Sequence, residues 1–246
     1  MIFPSVRRLL APLSDTPLHP QWLIARATKS GWLDIANQVD GCLLDIGCGN
    51  KPLSRLLAST VEYIGLDYPP TVAKGYGGEA DVFGDGQSLP FRDSSFDAVT
   101  MLDVLEHIPQ PERAFSEMVR VVRPGGVIIT RTPFMYPLHD LPHDFQRWTS
   151  EGLKGLGSRH AVALVDLHRY GRSLESAAVL ANLAMAKGML DSVEYRTPAV
   201  LLMPLVAVAV PIINIGGWLL SRCFRTDDFM PLGYTAIFRK NPIGGE

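Results

Sequence analysis

The stretch Leu43-Leu44-Asp45-Ile46-Gly47-Cys48-Gly49-Asn50 decides how this chain is read. Cys42–Ile46 is a short apolar run ending at glycines, the pattern of a strand buried in a parallel sheet. Open α/β sheets bind ligands at the carboxyl ends of their strands, and glycines there let the backbone come close to a ligand or adopt positive φ. Asp45, two residues before Gly47, can face a positively charged group directly or through water. A dinucleotide site would carry a third glycine where Pro52 stands, and would present a helix N-terminus to pyrophosphate. Asp45 and Pro52 together favour a cationic ligand without phosphates over NAD.

Outward from this segment the chain alternates. Pro52–Ser59 is predicted as a short helix, with Pro52 in the first turn where its missing N–H costs little. Val61–Leu66 reads as the next strand, ending on Asp67. Strands follow at Phe96–Leu102 and Val127–Thr132, with a helix over Glu112–Val122 between them that Arg123-Pro124-Gly125-Gly126 stops. After residue 150 come a helix, a strand around Ala161–Leu167 and a helix from about Arg172 to Leu190. Gly233–Arg239 closes the chain as a short alternating strand. Strand and helix in alternation predict a parallel sheet with both faces covered. Residues 1–40 read as a helical cap, with Trp22, Leu23, Ala27, Trp32, Leu33, Ile35, Ala36 and Val39 near helical spacing. Residues 41–246 are expected to form the main domain.

The 246 residues are 47% hydrophobic and 20% charged, with 23 basic against 25 acidic side chains. That balance fits a globular domain and lacks the basic footprint of a nucleic-acid binder. Three cysteines (Cys42, Cys48 and Cys223) show no zinc-like spacing, and a reduced, cytoplasmic setting is the simple expectation. The N-terminus has no uninterrupted apolar core of the kind a signal peptide needs.

Three further loops leave strand ends with acidic residues. Asp67 offers two carboxylate oxygens, which match a vicinal diol such as a ribose. Gly84-Asp85-Gly86 could bring a carboxylate to an adenine amino group, or could be a plain Asp-Gly turn. Leu102-Asp103-Val104-Leu105-Glu106-His107 leaves the fourth strand; His107 is either a general base or a packed, capping histidine.

Six short motifs now stand in register. They are Asp45-Ile46-Gly47-Cys48-Gly49, Tyr63-Ile64-Gly65-Leu66-Asp67, Gly84-Asp85 with Leu89-Pro90-Phe91, Phe96-Asp97-Ala98-Val99, Leu105-Glu106-His107 and Arg123-Pro124-Gly125-Gly126. Over residues 42–135 the chain resembles the class I S-adenosylmethionine-dependent methyltransferases of type 11. The resemblance implies a Rossmann-like, doubly wound α/β fold. Its sheet would have seven strands, mostly parallel with an antiparallel last strand, and a hydrophobic insertion would lie at about 172–230. It also implies that Asp45, Gly47 and Gly49 hold the methionine part of S-adenosyl-L-methionine, and that Asp67 takes the ribose hydroxyls. Tyr68 would pack on adenine, Asp85 and the Gly86 amide would read its edge, and Asp103 would lie near the methionine moiety. The Pro- and Gly-rich segment 68–79 departs from the family, which has a fuller helix there.

Acceptor-side candidates cluster in Pro137–Thr149: His139, His143 and Asp144, besides His107. His139 and His143 stand four apart, but Pro142 between them argues against one helix presenting both to a metal; no metal is expected. Asp144 could instead pair with Arg147. From Thr197 to Ser221 there is no charged residue, long enough to cross a bilayer, which takes roughly 20 residues. If the last strand completes the sheet, one crossing would strand it on the wrong side. A broken helical hairpin is therefore predicted, either a buried lid or a peripheral contact with the inner face of the membrane. A small, hydrophobic or lipid-linked methyl acceptor follows. The alternatives are a membrane-associated protein that binds the cofactor without turnover, and an NAD(P)-dependent oxidoreductase.

Overall fold

A computed structural model of the chain describes residues 11–69, 78–224 and 229–242. The first ten residues of the expected cap, and 70–77 of the Pro- and Gly-rich segment, lie outside them. Two compact units are formed. One comprises residues up to Ser30, Met135–Asp140 and Arg169–Leu232; the other comprises Gly31–Phe134, Leu141–His168 and the segment from Gly233 onward.

The second unit contains the sheet. Its strands are β1 (Cys42–Ile46), β2 (Glu62–Asp67), β3 (Val82–Phe83), β4 (Phe96–Leu102), β5 (Val122–Pro133), β6 (Val162–Tyr170) and β7 (Gly233–Lys240). They are ordered β3-β2-β1-β4-β5-β7-β6. β1, β2, β3, β4 and β5 pair in parallel, and β7 runs antiparallel to β5, with Ile129 opposite Ile237. The chain order reverses beside β1, which puts the ends of β1, β2 and β4 at a topological switch point. The expected seven-stranded, doubly wound Rossmann-like sheet is the one observed.

The period-2 alternation of β1 divides the core. Leu44 and Ile46 pack with Val99, Met101 and Ile128 on one face, beneath Phe115, Met118 and Leu156. Leu43 points the other way, to Ala98, Ile129 and Ile237 beneath Ile35 and Leu53. Each such fully buried side chain contributes roughly 1.5–3 kcal/mol. Helix α1 (Trp22–Ala36) supplies Ile35. Helix α2 (Pro111–Val121) starts on a proline and buries Ala114, Phe115, Met118 and Val121, one stripe at helical spacing. Helix α3 (Ser150–Arg159) is capped by the Thr149 side chain, which accepts from the Gly152 amide at 3.0 Å.

Residues 52–59, predicted as a helix, instead form a series of turns. Leu56 N–H bonds to the Leu53 carbonyl and the Ser54 hydroxyl to the Lys51 carbonyl, both three-residue closures. Only Leu53 is fully buried, so one anchor must offset a nucleation cost that short helices rarely recover.

The first unit is built on a helical hairpin of α4 (Ser173–Glu194) and α5 (Met203–Cys223), the latter entered through a 3₁₀ turn at Pro198–Leu202. The stretch 197–221 is thus one arm of a hairpin and not a hairpin in itself. Pro204 stands in the first turn of α5 and Pro211 is accommodated inside it. The arms run antiparallel: Ser221 lies against Glu175, Gly217 against Ala178, and Asn214 against Asn182. Leu23 buries itself with Ala178, Val179 and Leu232, apolar partners distant in sequence, and α1 continues into the second unit to deliver Ile35.

Candidate active site

Four neighbouring strand ends of the second unit carry the predicted cofactor residues. At the end of β1 the chain turns through Gly47 (φ +77°) and Gly49 (φ +50°). A Cβ on Gly47 would come within 2.3 Å of Val104 Cγ2, whereas one on Gly49 would meet open space. Gly47 is therefore required twice, by conformation and by contact, and Gly49 leaves a gap above the loop. The Gly47 and Cys48 amides both bond back to the Leu66 carbonyl, at 2.8 and 3.1 Å.

Asp45 is buried (4% exposed) in the last turn of β1. Its Oδ1 accepts from Thr100 Oγ1 and its Oδ2 from Tyr63 OH, each at 2.7 Å. The sheet register causes this, because Asp45 lies beside Gly65 of β2 and Thr100 of β4. Burial pushes the Asp45 carboxyl above the ordinary range, and the two hydroxyl donors pull it back. Tyr63 and Thr100 were not picked out from the sequence. The register of three strands, once assigned, would have found them.

Asp67, also buried, ends β2. It accepts from the Gly49 amide at 3.2 Å and from the Tyr68 amide at 2.7 Å, so it ties the glycine loop to the second strand. Tyr68 stands half exposed beside it. Burial, then the Asp45 and Asp67 charges, push the Cys48 thiol up to about 12. The loop sits in a negative field. Asp85 accepts from the Gln87 amide at 2.8 Å, closing an Asx turn in which Gly86 is buried near Ile46.

Asp103, after β4, adopts a left-handed φ of +55°. Arg131 from β5 holds it: Nε donates at 2.9 Å and the terminal nitrogen makes a second, short bond. The Arg131 guanidinium stacks on Trp32 of α1 at 4.1 Å. Arg131 escaped the sequence reading because it stands in an apolar strand pattern, Val127–Pro133. A lone arginine at the carboxyl end of such a strand is the signal that was there.

The turn Leu105–His107 follows. Glu106 is fully buried, and neither carboxylate oxygen has a hydrogen-bond partner among the described residues. Burial, then the nearby Asp103 charge, push its pKa up to about 8, so it is a neutral acid at pH 7. His107 Nδ1 lies 2.7 Å from the His143 carbonyl, and Nε2 lies 3.8 Å from Glu106 Oε1. A carbonyl can only accept, so Nδ1 carries a proton. His143 itself is exposed, against Phe145. Asp144 forms a bidentate pair with Arg147, at 2.5 and 2.8 Å. His139 belongs to the first unit, where its ring meets Tyr136 edge-on at 5.0 Å. Residues 137–149 form no helix.

A strand-end glycine loop, two buried carboxylates and a negative field define a site for an adenosine-type ligand bearing positive charge. The gap a Cβ on Gly49 would fill, and the cation-favouring potential at Cys48, fit S-adenosylmethionine. Comparison with known proteins agrees. The family model for the methyltransferase domain matches residues 44–130. The chain is 31% identical over 177 residues to the ubiquinone biosynthesis O-methyltransferase of Pseudomonas syringae, covering 61% of this chain and 72% of that protein. It is 29% identical over 189 residues to an uncharacterized methyltransferase of Mycobacterium marinum, covering 73% and 70%. A putative methyltransferase from Bacillus halodurans has the same fold, with a TM-score of 0.52 at 17% identity over 86% of this chain and 98% of that one. The chain belongs to the class I, type 11 S-adenosylmethionine-dependent methyltransferases, and it is an enzyme of methyl transfer with S-adenosylmethionine as cofactor.

Proposed function

We propose that the enzyme methylates a small, hydrophobic or lipid-linked acceptor at the inner face of the cytoplasmic membrane. The observation that carries this reading is the charge-free stretch 197–221, most of it in helix α5, which is long and apolar enough to cross a membrane. Its relative from Pseudomonas syringae, named for ubiquinone biosynthesis, supports a hydrophobic acceptor.

S-adenosylmethionine supplies the electrophilic methyl group when bound. In this reading the chain's own residues bind, orient and manage protons. Gly47 and Gly49 let the backbone approach the methionine part. Asp45 lies below the loop, oriented by the hydroxyls of Tyr63 and Thr100. Asp67 takes the ribose hydroxyls beside Tyr68, and Gly86 with Asp85 borders the adenine. Asp103, fixed by Arg131, faces the amino-acid end. His107 accepts the acceptor's proton where deprotonation accompanies attack. His139, His143 and Asp144 border the acceptor side, Asp144 through its hold on Arg147. Proximity and orientation supply the rest of the acceleration.

The test is a lipid extract and a pool of water-soluble metabolites, each incubated with the enzyme and labelled S-adenosylmethionine. Label in the organic phase is expected; label confined to water-soluble products refutes the acceptor class. His107→Asn keeps a donor near the His143 carbonyl but loses the basic nitrogen. It should lower kcat by about 10²-fold or more while S-adenosylhomocysteine binding is unchanged.

A further inference from the structure

The run Pro198–Cys223 spans 26 residues and is long and apolar enough to cross a membrane. Its inner face is occupied by the hairpin: Val210, Asn214 and Ser221 are buried, and Gly217 sits against Ala178. On the outer face Leu201, Leu205, Val208, Ile212, Ile215 and Leu219 are all exposed, Leu205 and Ile212 to 65% and 64%. Their spacing alternates between four and three, which makes one continuous stripe, about 27 Å long at 1.5 Å per residue. Such a surface marks an interface.

We propose that this stripe docks on a lipid bilayer, with α5 lying in the plane of the headgroup–acyl boundary. Three observations select this occupant and orientation. First, a second copy packed along a four–three seam would need charged flanking positions to set register and partner. The flanks here are Leu202, Ala209 and Gly216 on one side and Pro204, Pro211 and Trp218 on the other, and none is charged. Second, both ends carry the aromatic and basic side chains that populate a membrane–water boundary. Tyr195, 73% exposed, stands beside Arg196 at one end. At the other, Arg222 stacks over Trp218 at 3.9 Å with Arg26 at 5.3 Å. Third, the inner face is tethered. Asn214 Nδ2 donates to the Pro17 and His19 carbonyls at 2.7 and 3.0 Å, and Asn182 donates to Asn214 Oδ1 at 2.9 Å. A spanning α5 would break these bonds or carry them into hydrocarbon, at several kcal/mol for each unsatisfied group. The hairpin also joins β6 to β7, strands of one sheet, so a single crossing is excluded by connectivity.

The inference deepens the membrane setting proposed above, on which it rests, and holds whatever the methyl acceptor is. It is tested by flotation of the full chain with vesicles of phosphatidylcholine and phosphatidylglycerol. The comparison is the triple variant Leu205→Ser, Val208→Ser, Ile212→Ser, with circular dichroism and S-adenosylhomocysteine calorimetry as controls. The intact chain is expected to float, and the variant's bound-to-free ratio to fall at least about tenfold with cofactor binding unchanged. If the triple variant loses its helical signal, the single variant Ile212→Asp takes its place. Failure of the intact chain to float, or equal flotation of the variant, overturns the proposal. So does a non-floating dimer of the intact chain that the variant converts to monomer, which assigns the stripe to a second copy. Methylation of a soluble acceptor that persists in the variant leaves the catalytic reading intact in every case.

Discussion

Replacing Glu106 by glutamine should make the protein more stable in a pH-dependent way that can be worked out in advance. Glu106 is wholly buried, and its oxygens have no hydrogen-bond partner among the described residues. Its carboxyl titrates near 8 in the folded chain against 4.5 for an ordinary glutamate. Between those values the folded state holds a proton that the unfolded state has released. Stability therefore falls as pH rises, by about 1.4 kcal/mol per unit. The contribution is fully retained below pH 4.5 and levels off above pH 8, with a total loss of about 4–5 kcal/mol. Glutamine has nearly the same shape, keeps a neutral group and does not titrate. From pH 6 to pH 8 the natural protein should lose about 2 kcal/mol relative to Glu106→Gln. Urea denaturation of both chains at intervals across that range reads the difference directly, and subtraction removes the titration of all groups the two share. Parallel stability profiles would show that Glu106 is ionised in the folded state, and would refute the argument from burial.

Two further outcomes follow from the same contacts. Asp67→Ala releases the Gly49 amide and removes the proposed ribose acceptor, so the Kd for S-adenosylhomocysteine should rise at least tenfold, about 1.4 kcal/mol; calorimetry with an unchanged Kd would dismiss the assignment. Asn214→Ala strips the donor from the Pro17 and His19 carbonyls. It should lower stability by about 1–3 kcal/mol in urea melts while leaving cofactor affinity unchanged, since Asp45, Asp67 and Gly47 belong to the other unit.

The sequence by itself determined six of the seven strands, all but the two-residue β3. Runs such as Leu43–Ile46 and Phe96–Leu102 are short, apolar and bounded by turn residues, and local patterning leaves them little choice but buried strands. Gly47 was also legible, because positive φ is a local demand that few residues meet. What local pattern could not decide was every partnership made across the chain. Asp45 was visible as an acid beside a glycine loop, but only the register of β2, β1 and β4 brings Tyr63 and Thr100 to its two oxygens. Arg131 read as part of a strand until β5 put it against Asp103 and Trp32. Residues 52–59 carry helical spacing, yet just one of them is fully buried, and tertiary packing withheld the support a short helix needs. The charge-free stretch 197–221 was conspicuous as composition, and the need to return the chain to the sheet suggested a break within it. Packing against α4 instead keeps α5 continuous, because Asn182, Ala178 and Glu175 hold one face along its length. Composition fixes that a segment must hide apolar surface; only the tertiary structure decides which face is already covered and which remains to be covered.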